Sequence, residues 1–236
     1  MNIGEELNAL LTEDKTAIHV NVPFFPEGFW DINKSIVISW GVIVLCLLLC
    51  LILTSGMKLH GISKRQAMAE AIVVGLRNVV SGLVGPGGSE YVEYLISVMI
   101  FIAFCNLAGV FGLTPPTMDL NITIALALMS IILVEVAGIR KRGPRGWLKS
   151  FTQPIWIITP MNILEIGIKP LSLCMRLFGN ILGATVIMEL IRMVIPIGVP
   201  TVVSLYFEFF DGIIQAYVFI FLTSLYISEA TEEEAE

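Results

Sequence analysis

Arg176 lies in the run Ser172-Leu-Cys-Met-Arg176-Leu-Phe-Gly-Asn180, inside a stretch that is otherwise almost wholly apolar. A guanidinium stays protonated even there, and placing it in hydrocarbon costs several kcal/mol by most estimates, so it needs a partner, a water-filled cavity or a task. On a helix, Lys169, Ser172, Arg176, Asn180 and Gly183 recur at steps of three and four and share one face. A second seam follows: Ser204, Glu208, Asp211 and Gln215 stand at steps of four, three and four. The segment Pro196–Pro200 turns the chain between them, so the two helices are expected to run antiparallel as neighbours. Counting equal distances from Gly198 sets Glu208 opposite Met188 and Glu189, and Gln215 opposite Ile181. Glu189, Glu208, Asp211 and Arg192 then lie on one side of Arg176, and Lys169 and Glu165 on the other. Carboxylates attract or relay cations, and an arginine that cannot lose its proton interrupts a proton wire. The pattern reads as two aqueous approaches separated by a fixed positive charge. The plainer alternative is that Arg176 pairs with an acid on the neighbouring helix and simply holds the bundle. Glu189 and Arg192 also read as an ordinary i,i+3 pair, and Glu135 as a side chain reaching the interface.

The elements that must position these seams are membrane helices. The chain has 236 residues, of which 56% are hydrophobic and 14% charged, with a mean hydropathy of +0.85. A soluble domain carries nearer a quarter charged residues. The fold class is therefore an all-α membrane protein, with five transmembrane helices and one membrane-surface helix, the last two spans forming a long tilted hairpin. Residues 36–55, 94–113 and 121–138 are long enough to cross a hydrocarbon core of ~30 Å. Residues 154–195 form one much longer apolar segment, which must tilt, bend or project, and 201–228 returns. Between the first two spans, Met68, Ala69, Ile72, Val73, Leu76, Val79, Val80 and Leu83 mark an amphipathic helix on the membrane surface, ended by Gly85-Pro-Gly-Gly88. The domain reading is an outer N-terminal segment 1–35, one membrane domain 36–228 with its functional hairpin at 154–228, and an acidic tail 229–236.

Nine of the fourteen Lys and Arg residues fall in 58–77 and 140–149. The positive-inside rule places both runs in the cytoplasm, with the N-terminus outside and the C-terminus inside. The first 35 residues have no basic region ahead of a short apolar core, so no cleavable signal is expected. Cys46, Cys50, Cys105 and Cys174 sit in apolar segments without His or carboxylate companions, so they read as packing residues and no metal is expected. His19 and His60 suggest nothing catalytic. No nucleophile–base arrangement, Gly-rich phosphate loop, internal repeat or nucleic-acid signal appears, and no cofactor is expected.

At Ser172–Asn180 the chain closely resembles subunit a of F-type ATP synthases. The resemblance covers roughly residues 30 to 230, including the run from Leu113 to Leu128 and the run that starts at Gln215-Ala-Tyr-Val-Phe. It implies a long tilted hairpin packed against a rotating ring of c subunits. It also implies peripheral-stalk b subunits and the rest of the synthase as partners, in a lipid bilayer. Arg176 then corresponds to the stator arginine that meets the ring carboxylate, with Asn180 one turn away and Gln215 on the last helix. Glu208 matches a position that varies between His, Gly and Glu. An acid found nine residues after the arginine in some relatives is replaced here by Thr185, so Glu208 and Asp211 would fill that part. Lys169 matches an inner basic position and Glu165 an inner acid at shifted spacing. The implied function is non-catalytic: two offset half-channels pass H⁺ or Na⁺ to and from the ring, coupling ion flow to ATP synthesis. The absence of a targeting segment points to a bacterial plasma membrane. The competing readings are a secondary ion transporter or antiporter, for which matching half-chains are missing, and a purely structural membrane subunit.

Overall fold

The computed structural model describes residues 16–18, 32–55, 63–150, 159–195 and 203–231. The turn at Pro196–Pro200, His19, His60, Trp30 and most of the 1–35 segment lie outside them. Within them the chain is almost entirely helical. The exception is a short antiparallel ladder of β1 (Thr16–Ile18) with β2 (Ile32–Asn33).

Helix α1, Lys34–Thr54, is apolar all round and leaves side chains such as Leu47, Leu51 and Ile52 exposed on several faces. Such a helix suits lipid rather than water. Helix α2, Lys64–Val84, starts at Ser63, whose hydroxyl accepts the Gln66 N–H at 3.3 Å. It stops at Gly85, where φ is +73°, a value that side chains resist. A 3₁₀ turn, Pro86–Tyr91, leads into α3, Val92–Leu107. Gly88 in that turn sits so close to the last helix that an added Cβ would meet Val84 and lie 2.9 Å from Ile227 Cγ2.

The expected span 94–113 is helical only to Leu107 and then tightens into a 3₁₀ turn, Ala108–Phe111. Gly112, with φ +75°, reverses the chain. After a further 3₁₀ turn at Pro116–Met118, the Asp119 carboxylate accepts the Asn121 N–H at 3.0 Å and caps α4, Leu120–Ser150. Asp119 also accepts from Asn33 at 3.1 Å, which ties the start of α1 to the start of α4.

Helix α4 overruns the linker expected at 140–149. It breaks only at Gly143 (φ 73°, ψ 161°), and Pro144 begins the next piece, where a missing N–H costs little. Trp147 Nε1 donates to Glu135 at 2.7 Å, so this acid has a protein partner rather than reaching out to the interface. Helix α5, Thr159–Val194, is a single 36-residue helix with Pro170 inside it. At ~1.5 Å per residue it is far longer than a bilayer core, as its composition requires. The chain resumes at Val203, passes through a π-helical turn, Tyr206–Asp211, and ends in α6, Gly212–Thr231. The helix thus runs beyond Ser228, so Glu229 belongs to it rather than to an acidic tail; residues 232–236 lie outside the described residues.

Among the described residues, six helices are long and apolar enough to cross a membrane, α2 among them. The core is formed where α3, α4, α5, α6 and the last turns of α2 converge, with Val80, Leu95, Ile102, Leu177, Phe219 and Ile220 almost fully enclosed. Helix α5 leans on α4, whereas α6 leans on α3 and α4; direct backbone approach between α5 and α6 is sparse. With α4 behind both, the two helices meet through long polar side chains. Gly88→Val is expected to overpack the α2–α3 junction against α6 and destabilise it by about 1–3 kcal/mol, seen as a lower Tm of the detergent-extracted protein. An unchanged Tm would show that the turn yields freely.

Candidate functional site

Asn180 joins the two seams. Its Nδ2 faces Asp211 Oδ1 at 2.9 Å, Asp211 Oδ2 at 3.0 Å and Gln215 Oε1 at 3.2 Å. The register counted from the turn had placed Gln215 opposite Ile181, one residue away. Gln215 is only 4% exposed, and its Nε2 has no partner among the described residues. One turn of α5 further on is Arg176, half-buried. Among the described residues, none forms an ion pair or hydrogen bond with its guanidinium. The plain structural alternative, an arginine neutralised by an acid of the neighbouring helix, is therefore absent among the described residues. Ser172 lies half-buried on the same face.

Beyond Asn180 the helices part around a cavity of about 300 Å³. Thr185, Met188 and Arg192 of α5 line one wall, and Glu208, Asp211 and Gln215 the other. The third wall is the end of α3 with the loop after it, through Asn106, Gly109 and Pro115. Thr185 turns its hydroxyl back to the Ile181 carbonyl at 2.9 Å, and the carboxylates on the cavity wall, Glu208 and Asp211, come from the segment that leads into the last helix. The acids lie in and beside the π turn, which holds one residue more than an α turn and often marks functional positions. Glu189 lies on α5, but its side chain is outside the described residues.

At the other end of the seam, Lys169 Nζ lies 3.2 Å from Glu229 and 3.5 Å from Glu165, and 5.1 Å from the centroid of the Tyr226 ring. Arg142 donates to the Glu229 carbonyl at 3.2 Å, where a cation complements the exposed carbonyls of a helix C-terminus. Lys169 and Glu165 were legible in the sequence; Tyr226 and Glu229 were not, because Glu229 read as tail. Asn106, Thr117 and Gly109 were missed too. Asn106 was nevertheless detectable, as the one amide within the apolar span 94–113, a residue type that is costly to bury there without a role.

The site thus has a cation without a partner among the described residues, a carboxylate-lined cavity toward one end and a Lys–Glu cluster toward the other. The arrangement suits attraction and release of cations. The Lys169–Glu229 pair is well exposed on the Glu229 side (57%), so a double-mutant cycle with Lys169→Gln and Glu229→Gln is expected to give a coupling below about 1 kcal/mol in stability. A larger coupling would mean that water is kept from this end.

Comparison with known proteins identifies the family. The family described as ATP synthase A chain matches residues 36–228. ATP synthase subunit a of Moorella thermoacetica is 36% identical over 209 residues, covering 88% of this chain and 94% of that protein. ATP synthase subunit a 2 of Acaryochloris marina is 31% identical over 224 residues, covering 94% and 93%. ATP synthase subunit a of Nitrosospira multiformis is 33% identical over 226 residues, covering 90% and 85%. With a family match across both seams and relatives aligned over nearly their whole length, the chain belongs to the ATP synthase subunit a family.

Proposed function

We propose that this protein is the ion-conducting stator subunit of an F-type ATP synthase and that its two seams form offset half-channels. The observation that carries the reading is Arg176: a permanent cation on a membrane helix for which the described residues provide no counter-charge. Its partner must then be brought by another chain, and a carboxylate of a rotating c-subunit ring supplies one at each step. Family membership places the chain within the synthase complex as a multi-pass membrane protein. The c ring and the peripheral-stalk b subunits are its proposed neighbours.

In this reading an ion enters the cavity from outside past Glu208 and Asp211, guided by Asn180 and Gln215, and neutralises a ring carboxylate. A neutral site passes into lipid at far lower cost than an ionised one. On its return it meets Arg176, which favours the ionised carboxylate, and the ion leaves toward Lys169, Glu165 and the cytoplasm. Ser172 lies on that inner side of Arg176, and Glu189 on the outer side. Arg176 keeps its proton throughout, so ions cannot run straight from one half-channel to the other. Each charge crossing 100 mV yields ~2.3 kcal/mol, and several per ATP reach the scale of synthesis. The subunit itself makes no bond. The orientation that fits is N-terminus outside and C-terminus in the cytoplasm of a bacterial plasma membrane. The basic runs at 58–77 and 140–149 then face the cytoplasm, and α2 lies along that surface.

The test is ion-driven ATP synthesis by the whole complex in liposomes, with Arg176→Ala beside the unaltered protein. Synthesis and ATP-driven pumping are both expected to be lost while the complex still assembles. Near-normal coupling in the variant would remove the stator role.

A further inference from the structure

The acid-bearing turn of the last helix is not held by the helix that carries Asn180 alone. Asn106, at the far end of α3, is 4% exposed. Its Nδ2 donates to the Gly212 carbonyl at 3.0 Å, and its Oδ1 accepts the Thr117 hydroxyl at 2.6 Å. Gly212 is the residue at which the π turn gives way to α6. The two backbones are so close there that a Cβ on Gly212 would stand 2.9 Å from Asn106 Cβ. One turn along, a Cβ on Gly109 would come within 3.3 Å of Glu208 Cγ and 3.4 Å of its Cδ, so the Glu208 stem lies over a glycine. The Gly212 carbonyl can only accept, so the amide turns its NH₂ there, and the fully buried Thr117 hydroxyl, donating to the oxygen, holds it in that orientation.

We propose that Asn106, oriented by Thr117, is a positioning residue that fixes the π turn in place and thereby keeps Glu208 and Asp211 on the cavity wall. The inference rests on the half-channel reading and adds to it a part played by α3. A π turn carries one residue too many for the α-helix around it, and where that surplus sits decides the facing of every side chain beside it. Displacing it by one residue turns a side chain by about 100° around the helix axis. Nothing in the sequence of the turn, Tyr206-Phe-Glu-Phe-Phe-Asp211, demands one location for the surplus. The bond to the carbonyl at its end does. Gly109 and Gly212 serve the same arrangement by letting α3 approach closely enough for that bond and for the Glu208 stem.

ATP synthesis by the whole complex in liposomes tests this, at fixed membrane potential and with the H⁺ or Na⁺ concentration on the cavity side varied. Asn106→Leu is expected to raise the half-saturating ion concentration about tenfold, the effect of leaving one buried polar group unpaired, with the maximal rate within about twofold. Thr117→Val should shift half-saturation in the same direction by about threefold, and Thr117→Ser should restore it. Unchanged half-saturation in both Asn106→Leu and Thr117→Val overturns the proposal, as does a loss confined to the maximal rate. If Asn106→Leu does not assemble, the Thr117→Val and Thr117→Ser pair decides. Arg176→Ala in the same liposomes separates the two ideas. Coupling that survives there overturns the half-channel reading. Lost coupling there, with unmoved half-saturation in the other variants, overturns only the positioning role.

Discussion

A guanidinium that cannot be neutralised, held on a helix among apolar residues without a counter-charge from the described residues, sets the terms for the rest of the structure. Insertion scales put its cost at about 2.5–3.5 kcal/mol at mid-membrane. A protein built only for stability would offset that with a carboxylate on the next helix. Here Asp211, in the turn before α6, is engaged with Asn180 instead. The amide takes the place a cation would otherwise fill. That pairing leaves Arg176 available to a group from outside the chain.

The packing explains how α5 and α6 tolerate such a polar interval. They are not each other's main support. Helix α4 lies against both, and α3 backs α6, so the apolar core of Leu95, Ile102, Leu177, Phe219 and Ile220 sits behind the seams rather than between them. The interval can widen into a cavity of about 300 Å³ without removing that core. At its other end, Lys169, Glu165, Glu229 and Tyr226 draw the two helices together again. Arg142 adds the end of α4's first stretch to the same place. The side-chain bonds between α5 and α6 described above are thus polar, while both helices also bury apolar residues in the core they share with α3 and α4.

Much of this was legible in the residues. The helical class, the 36-residue α5 and the two polar faces follow from composition and periodicity, because a membrane helix must satisfy its own backbone and its length is bounded by the bilayer. Equal counting about the turn set Gln215 opposite Ile181, one residue from its partner Asn180. What escaped was of two kinds. Helix ends near 140–149 and 229 were misplaced because charged residues resemble loops in composition, while only Gly143 breaks the backbone. Asn106 and Thr117 were passed over because their partners are remote: Asn106 meets Gly212 across 106 positions of sequence.

The sequence by itself therefore determined the fold class, the family, the charged face and the choice of Arg176 as its centre. Those depend on local quantities: side-chain hydropathy, a helical period and a motif of adjacent residues. Only the tertiary structure decided that Arg176 lacks a partner among the described residues, that α5 and α6 rest on α4 rather than on one another, and that a π turn sets the direction of Glu208 and Asp211. Each of these depends on distances between segments far apart in the chain, where a close approach at Gly212 or a single amide–carbonyl bond determines the geometry and no periodicity records it.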